Sequence, residues 1–509
     1  MSRTSNSLKN VRYATLLKLA VVVVNFLARR VFITVLTDEY LGLNGTFANI
    51  LSVLSLAELG VGTAITFSMY QPLAEHDDER LLSLMALYRK YYRIIGCVIA
   101  VVGAALTPAL PYLIHDIPNV PHLEIIYLMF VFDSALSYFF IYKQSIITAD
   151  QKQYIVTTYQ NITAVCMVLV QIVLLLITKN YFVYLGVKLV STLTNNMLLA
   201  RKADKLYPFL KKKEIQPLPA DVQQSISRNI RATMMHRIGS VVVFETDNVL
   251  IMYFIGAIAV GFYNNYLMIT RGLQDIYILI YRALTASVGN LCAEEDKSHA
   301  EEVFWKLDFF TRWLYGFSSI CLLVLLNPFI SSVWLNENYL FSMPIVLLIC
   351  VNFYITGLRQ SSLTFRDAMG LYWYDRYKAV FESLINLVVS IVLAIPYGIV
   401  GIFIGTFVST MTTCFWIEPY MLFKHGFHAK VGAYFRKYGL HTVYTVIIGA
   451  GTWYLASLLP ALGFLPFVGK LMICAVVPNV CYWLIYGRTE EFRYAVDLVK
   501  SRLGAILKR

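Results

Sequence analysis

Residues 155–178 run from Ile155 to Thr178 without a charged side chain. At about 1.5 Å per residue, a helix of that length covers the roughly 30 Å of hydrocarbon in a bilayer. Comparable runs recur about fourteen times along the chain. Lipid offers no hydrogen bonds to exposed backbone, so such runs must be helical. The expected fold class is therefore an all-α polytopic membrane protein. Composition agrees, since only 15% of the 509 residues are charged, against about 25% in a soluble domain. Mean hydropathy is +0.62.

The expected spans of the first half are 13–36, 43–69, 85–107, 122–147, 155–178 and 182–200. The second half has 229–255, 259–283, 307–333, 341–365, 372–396 and 399–423, and two more follow at 438–459 and 466–486. The first run lacks a small-residue cleavage site and ends in Arg29-Arg30. It reads as a retained span and not a signal peptide.

Orientation follows from where Lys and Arg sit between the spans. Alternate loops hold Arg80, Arg89, Lys90 and Arg93, then Lys143 and Lys152, then Arg201 to Lys213. Later loops of the same parity hold Arg282, Lys297 and Lys306, then Arg366, Arg376 and Lys378, then Lys424, Lys430, Arg436 and Lys437. The opposite set is nearly free of them, with Lys179 the clear exception. This asymmetry puts both termini in the cytoplasm. It also accounts for the net charge of +12 without a nucleic-acid partner, since no sustained basic face exists.

A weak internal repeat divides the chain. Leu41-Gly42-Leu43-Asn44-Gly45 opens the second span and Val260-Gly261-Phe262-Tyr263-Asn264 opens the eighth, 219 residues on. Leu185-Gly186-Val187 and Val400-Gly401-Ile402 match at an offset of 215. Two six-helix halves are expected, with a substrate site between them. The expected organisation is a lobe at 1–200, a cytoplasmic linker at 201–228 and a second lobe at 229–425. Two additional helices follow at 426–487, then an amphipathic cytoplasmic tail at 488–509. The linker, with Lys211-Lys212-Lys213 and Pro217 to Pro219, reads as a polar connector.

Enzyme motifs are lacking. Gly463 to Gly469-Lys470 mimics a P-loop, but it is one residue too long and no Ser or Thr follows. Gly401-x-x-x-Gly405 reads as close helix packing. The eight cysteines form no C-x-x-C pair, so no disulfide or metal framework is expected, and no cofactor. His115 and His122 read as loop residues, and His236 as a weak proton-relay candidate.

Charges inside the spans are the informative residues, because each costs roughly 2.5–3.5 kcal/mol near the bilayer centre. They are Lys18, Arg29, Arg30, Glu58, Asp133, Arg237, Glu245, Asp247, Arg271, Asp275, Arg359 and Glu382. The planar guanidinium fork suits phosphate. Arg29, Arg30, Arg271 and Arg359 are accordingly the candidates for binding an anionic substrate. Structural ion pairing and interfacial snorkelling are the competing roles. Glu58, Glu245 and Asp247 are candidates for ion coupling or ion pairing. Glu245 and Arg271 lie at similar distances from a turn near Ala257-Ile258, so they are expected to be level in the membrane.

The segments Leu41 to Gly45, Leu56-Ala57-Glu58-Leu59-Gly60-Val61-Gly62 and Met69-Tyr70-Gln71-Pro72-Leu73-Ala74 resemble the start of a Wzx-type polysaccharide flippase. Thr246 to Ile251 and Val260 to Tyr266 are similar to the opening of that family's second half, and Ser287 to Leu291 to its short inside helix. The family belongs to the multidrug/oligosaccharidyl-lipid/polysaccharide exporter superfamily. The resemblance implies a V-shaped pair of six-helix lobes that alternates between inward and outward openings. It implies a substrate consisting of an undecaprenyl-pyrophosphate-linked oligosaccharide, carried across a bacterial cytoplasmic membrane. Membrane lipids, a polysaccharide polymerase and other assembly proteins are the implied partners. A MATE-like exporter and a polytopic glycosyltransferase or ligase are the alternatives. An exporter would need an acidic, aromatic cavity, and the enzyme would need a larger outside loop than 108–122.

The topology has a direct test. With single cysteines in a Cys-free background, impermeant reagent on intact cells should label 108–121 and 334–340 and spare 201–228. Labelling of 201–228 would overturn the orientation.

Overall fold

The computed structural model describes residues 20–58, 61–114, 120–150, 152–212, 215–219, 222–224, 226–227, 246–294, 297–371, 374–375 and 377–494. Among the described residues there is no strand. The longer helices of the first half are α1 (20–35), α2 (Asp38–Leu54), α3 (Val61–Glu75), α4 (Asp78–Ala105), α5 (Leu123–Ile141), α6 (Gln153–Thr178) and α7 (Tyr181–Leu206). There follow α8 (246–254), α9 (Ala257–Glu294), α10 (Lys297–Phe329), α11 (Met343–Leu358) and α12 (Gln360–Ala368). The series ends with α13 (Lys378–Tyr397), α14 (Ile399–Thr412), α15 (Cys414–Met421), α16 (Gly432–Ser457) and α17 (Phe464–Tyr486).

Among the described residues helix lies within each of the fourteen expected spans, at 229–255 only over 246–254, and the second span is divided into α2 and α3. Among the described residues, seven helices are long and apolar enough to cross a membrane, or eight if the bent Asp78–Leu113 pair is one span. The others, such as α2 and α7, are shorter or more polar. Their place in the count of about fourteen remains an expectation.

The outside of these helices is apolar. Within the crossing window of α6 only 17% of residues are buried, and Ile177, Ile395 and Leu484 are 72%, 76% and 69% exposed. Water would not tolerate so large an apolar surface. Acyl chains accept it, and the chain is a multi-pass membrane protein.

Contacts divide the chain into two units, Met1–Gly261 and Phe262–Arg509. In the first, α4 presents Tyr88, Tyr92, Ile95 and Ile99 at helical spacing to a core that includes Ala135 and Tyr138 of α5. Part of the expected polar connector joins this core. Leu218 and Ile226 are buried, and the Ser83 hydroxyl donates to the Gln216 carbonyl at 2.7 Å. In the second unit, α10 packs against α11, α16 and α17.

The first repeat match has a structural counterpart within the first unit. A Cβ on Gly42 would fall 2.6 Å from the Ala257 carbonyl oxygen, and one on Gly261 only 3.0 Å from the Gly42 nitrogen. The backbones therefore touch where the two matched glycines lie. The second match is unequal, since a Cβ on Gly186 would meet nothing within 4 Å, whereas Gly401 abuts Leu393. Gly401 and Gly405 together let α14 lie directly on α13, as the small-xxx-small pattern requires.

Overpacking this seam should be felt. A Cβ on Gly405 would sit 2.7 Å from the Ser390 backbone nitrogen, so Gly405→Leu should cost ~1–3 kcal/mol. Gly439→Leu, at an exposed position with open space around it, should stay within about 0.5 kcal/mol. Thermal unfolding of the detergent-solubilised protein compares them, and equal midpoints would contradict the packing argument.

Candidate functional site

Three polar centres stand out, and each sits where a helix is interrupted or crossed. The first surrounds Glu58. Helix α2 ends at Leu54, a 3₁₀ turn spans Ser55–Glu58, and α3 resumes at Val61. Within that break the Glu58 carboxylate accepts hydrogen bonds at both oxygens. Tyr92 Oη donates at 2.5 Å and Tyr138 Oη at 2.9 Å, while Tyr88 Oη donates to Tyr92 Oη at 3.1 Å. All three tyrosines are buried. Gly62 lets α3 pass over them, because a Cβ there would lie 2.9 Å from Tyr92 Oη. Phenol donors stabilise the charged carboxylate without neutralising it.

The second centre pairs Asp133 on α5 with Lys188 on α7 at 3.7 Å. The Lys188 ammonium also lies 4.0 Å from the centre of the Phe130 ring, a cation–π contact that compensates for lost water.

The third centre is a buried charge network in the second unit. Arg359, at the junction of α11 and α12, places its fork on Glu418 of α15: Nε donates to Oε2 at 2.9 Å and Nη2 to Oε1 at 2.7 Å. Its Nη1 reaches Glu382 of α13 at 3.5 Å. Lys378 donates to the same Glu418 at 2.5 Å and to Asp375 at 3.2 Å. Arg366 extends the chain to Asp375 and Asp367, at 2.8 Å each. Glu418 is 1% exposed, so it survives as a carboxylate only because two cations surround it.

The remaining sequence candidates are placed as follows. Arg29 is half-buried on α1, and Arg30 next to it is exposed and partnered. One turn further on, Phe32 packs on Tyr184 and Tyr181 with ring centres 5.0 and 5.9 Å away. Arg271 is exposed on α9 and, among the described residues, forms no ion pair. Asp247 is half-buried and partnered. Glu245, Lys18, Arg237 and His236 lie outside the described residues, as do His115 and 495–509 of the tail. The expected Glu245–Arg271 proximity therefore falls there too. The turn it relied on is present: the helix breaks at Gly256, whose φ is 121°.

A profile of the polysaccharide biosynthesis protein family matches residues 7–285. The chain belongs to that family. The match takes in Glu58 with its three tyrosines, Asp133, Lys188, Arg29, Arg30 and Arg271. A comparison with curated protein sequences gives no match. Among solved structures, this family member is similar to the lipid II flippase MurJ in an inward closed conformation. The TM-score is 0.65 at 13% identity, over 93% of this chain and 98% of that one. It is similar also to an inward-facing multidrug resistance MATE transporter, with a TM-score of 0.60 at 13% identity over 80% and 98%. A Vibrio cholerae MATE transporter, VcmN, scores 0.55 at 14% identity over 83% and 99%. The polysaccharide biosynthesis family member therefore has the fold shared by MurJ and the MATE transporters.

Sequence reading singled out Glu58, Asp133 and the partners Arg359 and Glu382, but not Tyr88, Tyr92, Tyr138, Lys188, Lys378 or Glu418. Tyr88 and Tyr92 share a helix face, a four-residue spacing visible in the sequence. Glu418 is itself a lone charge inside the expected span 399–423, a signal of the same kind as Glu58 that the reading passed over.

Removing Glu418 should be severe. Glu418→Ala leaves Arg359 and Lys378 buried without their shared counter-ion, a loss of ~3–5 kcal/mol. Adding Arg359→Met should restore part of it. Wild-type thermal stability of the single variant would show that the network carries no such weight.

Proposed function

We propose that this protein is a flippase for undecaprenyl-pyrophosphate-linked oligosaccharide repeat units in surface polysaccharide biosynthesis. It works by alternating access, moving them from the inner to the outer leaflet of the bacterial cytoplasmic membrane with both termini in the cytoplasm. The observation that carries this is one of combination. A chain of the polysaccharide biosynthesis family has, over 93% of its length, the fold of a protein described as a lipid II flippase. Its lobes are 1–200 and 229–425, joined by 201–228 and followed by helices at 426–487.

In this reading Arg29, Arg30, Arg271 and Arg359 are the groups that meet the substrate pyrophosphate. Arg271 supports it most simply, since its guanidinium has no described ion pair to give up. Arg359 would have to exchange Glu418 or Glu382 for the phosphate. Glu58, Glu245 and Asp247 serve ion coupling or hold charges between turnovers. Neither cofactor nor metal takes part, and a polymerase would receive the product.

A MATE-like exporter is the second reading, favoured by the likeness to MATE transporters. Reconstituted vesicles separate the two. A fluorescent lipid-linked repeat unit should change leaflets, and cationic drugs should not be exported. Arg271→Ala should slow flipping at least about tenfold with membrane abundance unchanged, and Arg271→Lys should recover only part, because the ammonium lacks the fork. Wild-type rates in Ala variants of Arg29, Arg30, Arg271 and Arg359 alike would remove the anion-binding role. Drug transport without flipping would replace the function itself.

A further inference from the structure

The turn between α15 and α16 forms a cleft that the transport reading does not use. Tyr420, Lys424, His428, Ala429, Lys430, Val431 and Gly432 enclose about 530 Å³. Three of these residues are basic and none is acidic. Among the described residues, Lys424, His428 and Lys430 form no ion pair, and all three are exposed. The Lys424 ammonium instead stays near Tyr420, donating to its hydroxyl at 3.3 Å with 5.3 Å to the ring centre. His428 turns the chain with a φ of 58°, and α16 then begins with no side chain capping its first turn. The amide end of that long helix, with its partial positive charge, therefore faces the same cleft. Amides at a helix start together with unpaired ammonium groups make a site for a phosphate.

The surroundings say which phosphate. The cleft lies at the end of Ile399–Phe427, a segment able to cross the membrane. Trp416 and Tyr420 on its last turns are 46% and 36% exposed, as aromatic residues at the headgroup level are. Beyond the cleft α16 exposes Leu440, Val443, Val446 and Ile447. These begin about 12 Å along the helix from Gly432, where the acyl chains of a lipid held by its phosphate would lie. We propose that this cleft binds the phosphate headgroup of an anionic phospholipid from the surrounding leaflet, with the lipid chains against α16.

The test uses the full-length protein in detergent, titrated with phosphatidylglycerol or phosphatidylcholine and read by native mass spectrometry. Phosphatidylglycerol should bind in preference to phosphatidylcholine. Lys424→Gln with Lys430→Gln should weaken phosphatidylglycerol binding roughly tenfold or more. Lys211→Gln with Lys212→Gln removes the same charge elsewhere and should leave binding unchanged. Equal losses in both double variants, or no loss in either, would overturn the site. Binding of inorganic pyrophosphate that depends on Lys424 and Lys430, without phosphatidylglycerol binding, would overturn the lipid as its source. Because no translocation is measured, failure here leaves the flippase reading untouched.

Discussion

A charge inside hydrocarbon has to be answered by another polar group, and the polar architecture of this chain follows from that demand. The answers differ in kind. Glu58 is met by neutral donors, with Tyr92 and Tyr138 on its two oxygens. Asp133 is met by one ammonium that leans on Phe130. Arg359 is met by a full network in which Glu418 is shared with Lys378. These solutions have different consequences for change. A carboxylate held by neutral phenols strands no opposite charge when one donor is lost. The Glu418 network cannot lose one member without stranding the others.

The same demand explains where helices break. The interruption between α2 and α3 falls at Glu58. Non-helical backbone at such depth needs its own hydrogen-bonding partners. A break therefore sits beside the most polar surroundings available. Where the chain stays regular, as in α13 and α14, glycine supplies contact instead. Gly401 and Gly405 bring two helices together closely enough for Ser390 Oγ to donate to the Ile402 carbonyl and Asn386 Nδ2 to Thr406 Oγ1, at 3.1 Å each, and dispersion over the close seam adds to these bonds.

Much of this was legible in the sequence, for physical reasons that also mark the limits. Apolar runs must be helical in lipid, so helix positions could be read directly. Gly42 and Gly261 were found as a repeat, and their backbones meet. Single charges in apolar runs pointed to Glu58 and Arg359. What could not be read was pairing across long separations. Glu418 is 59 residues from Arg359, and Tyr138 is 80 from Glu58. Glu418, a lone charge in an apolar run, could have been picked out but not its partner, and among 35 tyrosines none announces itself as a carboxylate partner. Leu218 and Ile226 were passed over because a segment rich in Lys and Pro looks like a connector. Its apolar residues, with Val222 beside Leu218 and Ile226, tie it to the core.

The contrast between Arg271 and Arg359 bears on how an anion carrier can work. A guanidinium already held by a bidentate carboxylate gains little when a phosphate replaces that carboxylate, because one charge-assisted pair is exchanged for another. The displaced Glu418 would then depend on Lys378 alone. Recruiting Arg359 is therefore close to neutral for the arginine and unfavourable for its former partner. An arginine without an ion pair has no such debt, and its contact with phosphate is a net addition. Differential interaction with the loaded and empty states is what shifts a conformational equilibrium. In the proposed reading, Arg271, which forms no ion pair among the described residues, is the better placed of the two to report occupancy, and Arg359 to hold its own charge network together.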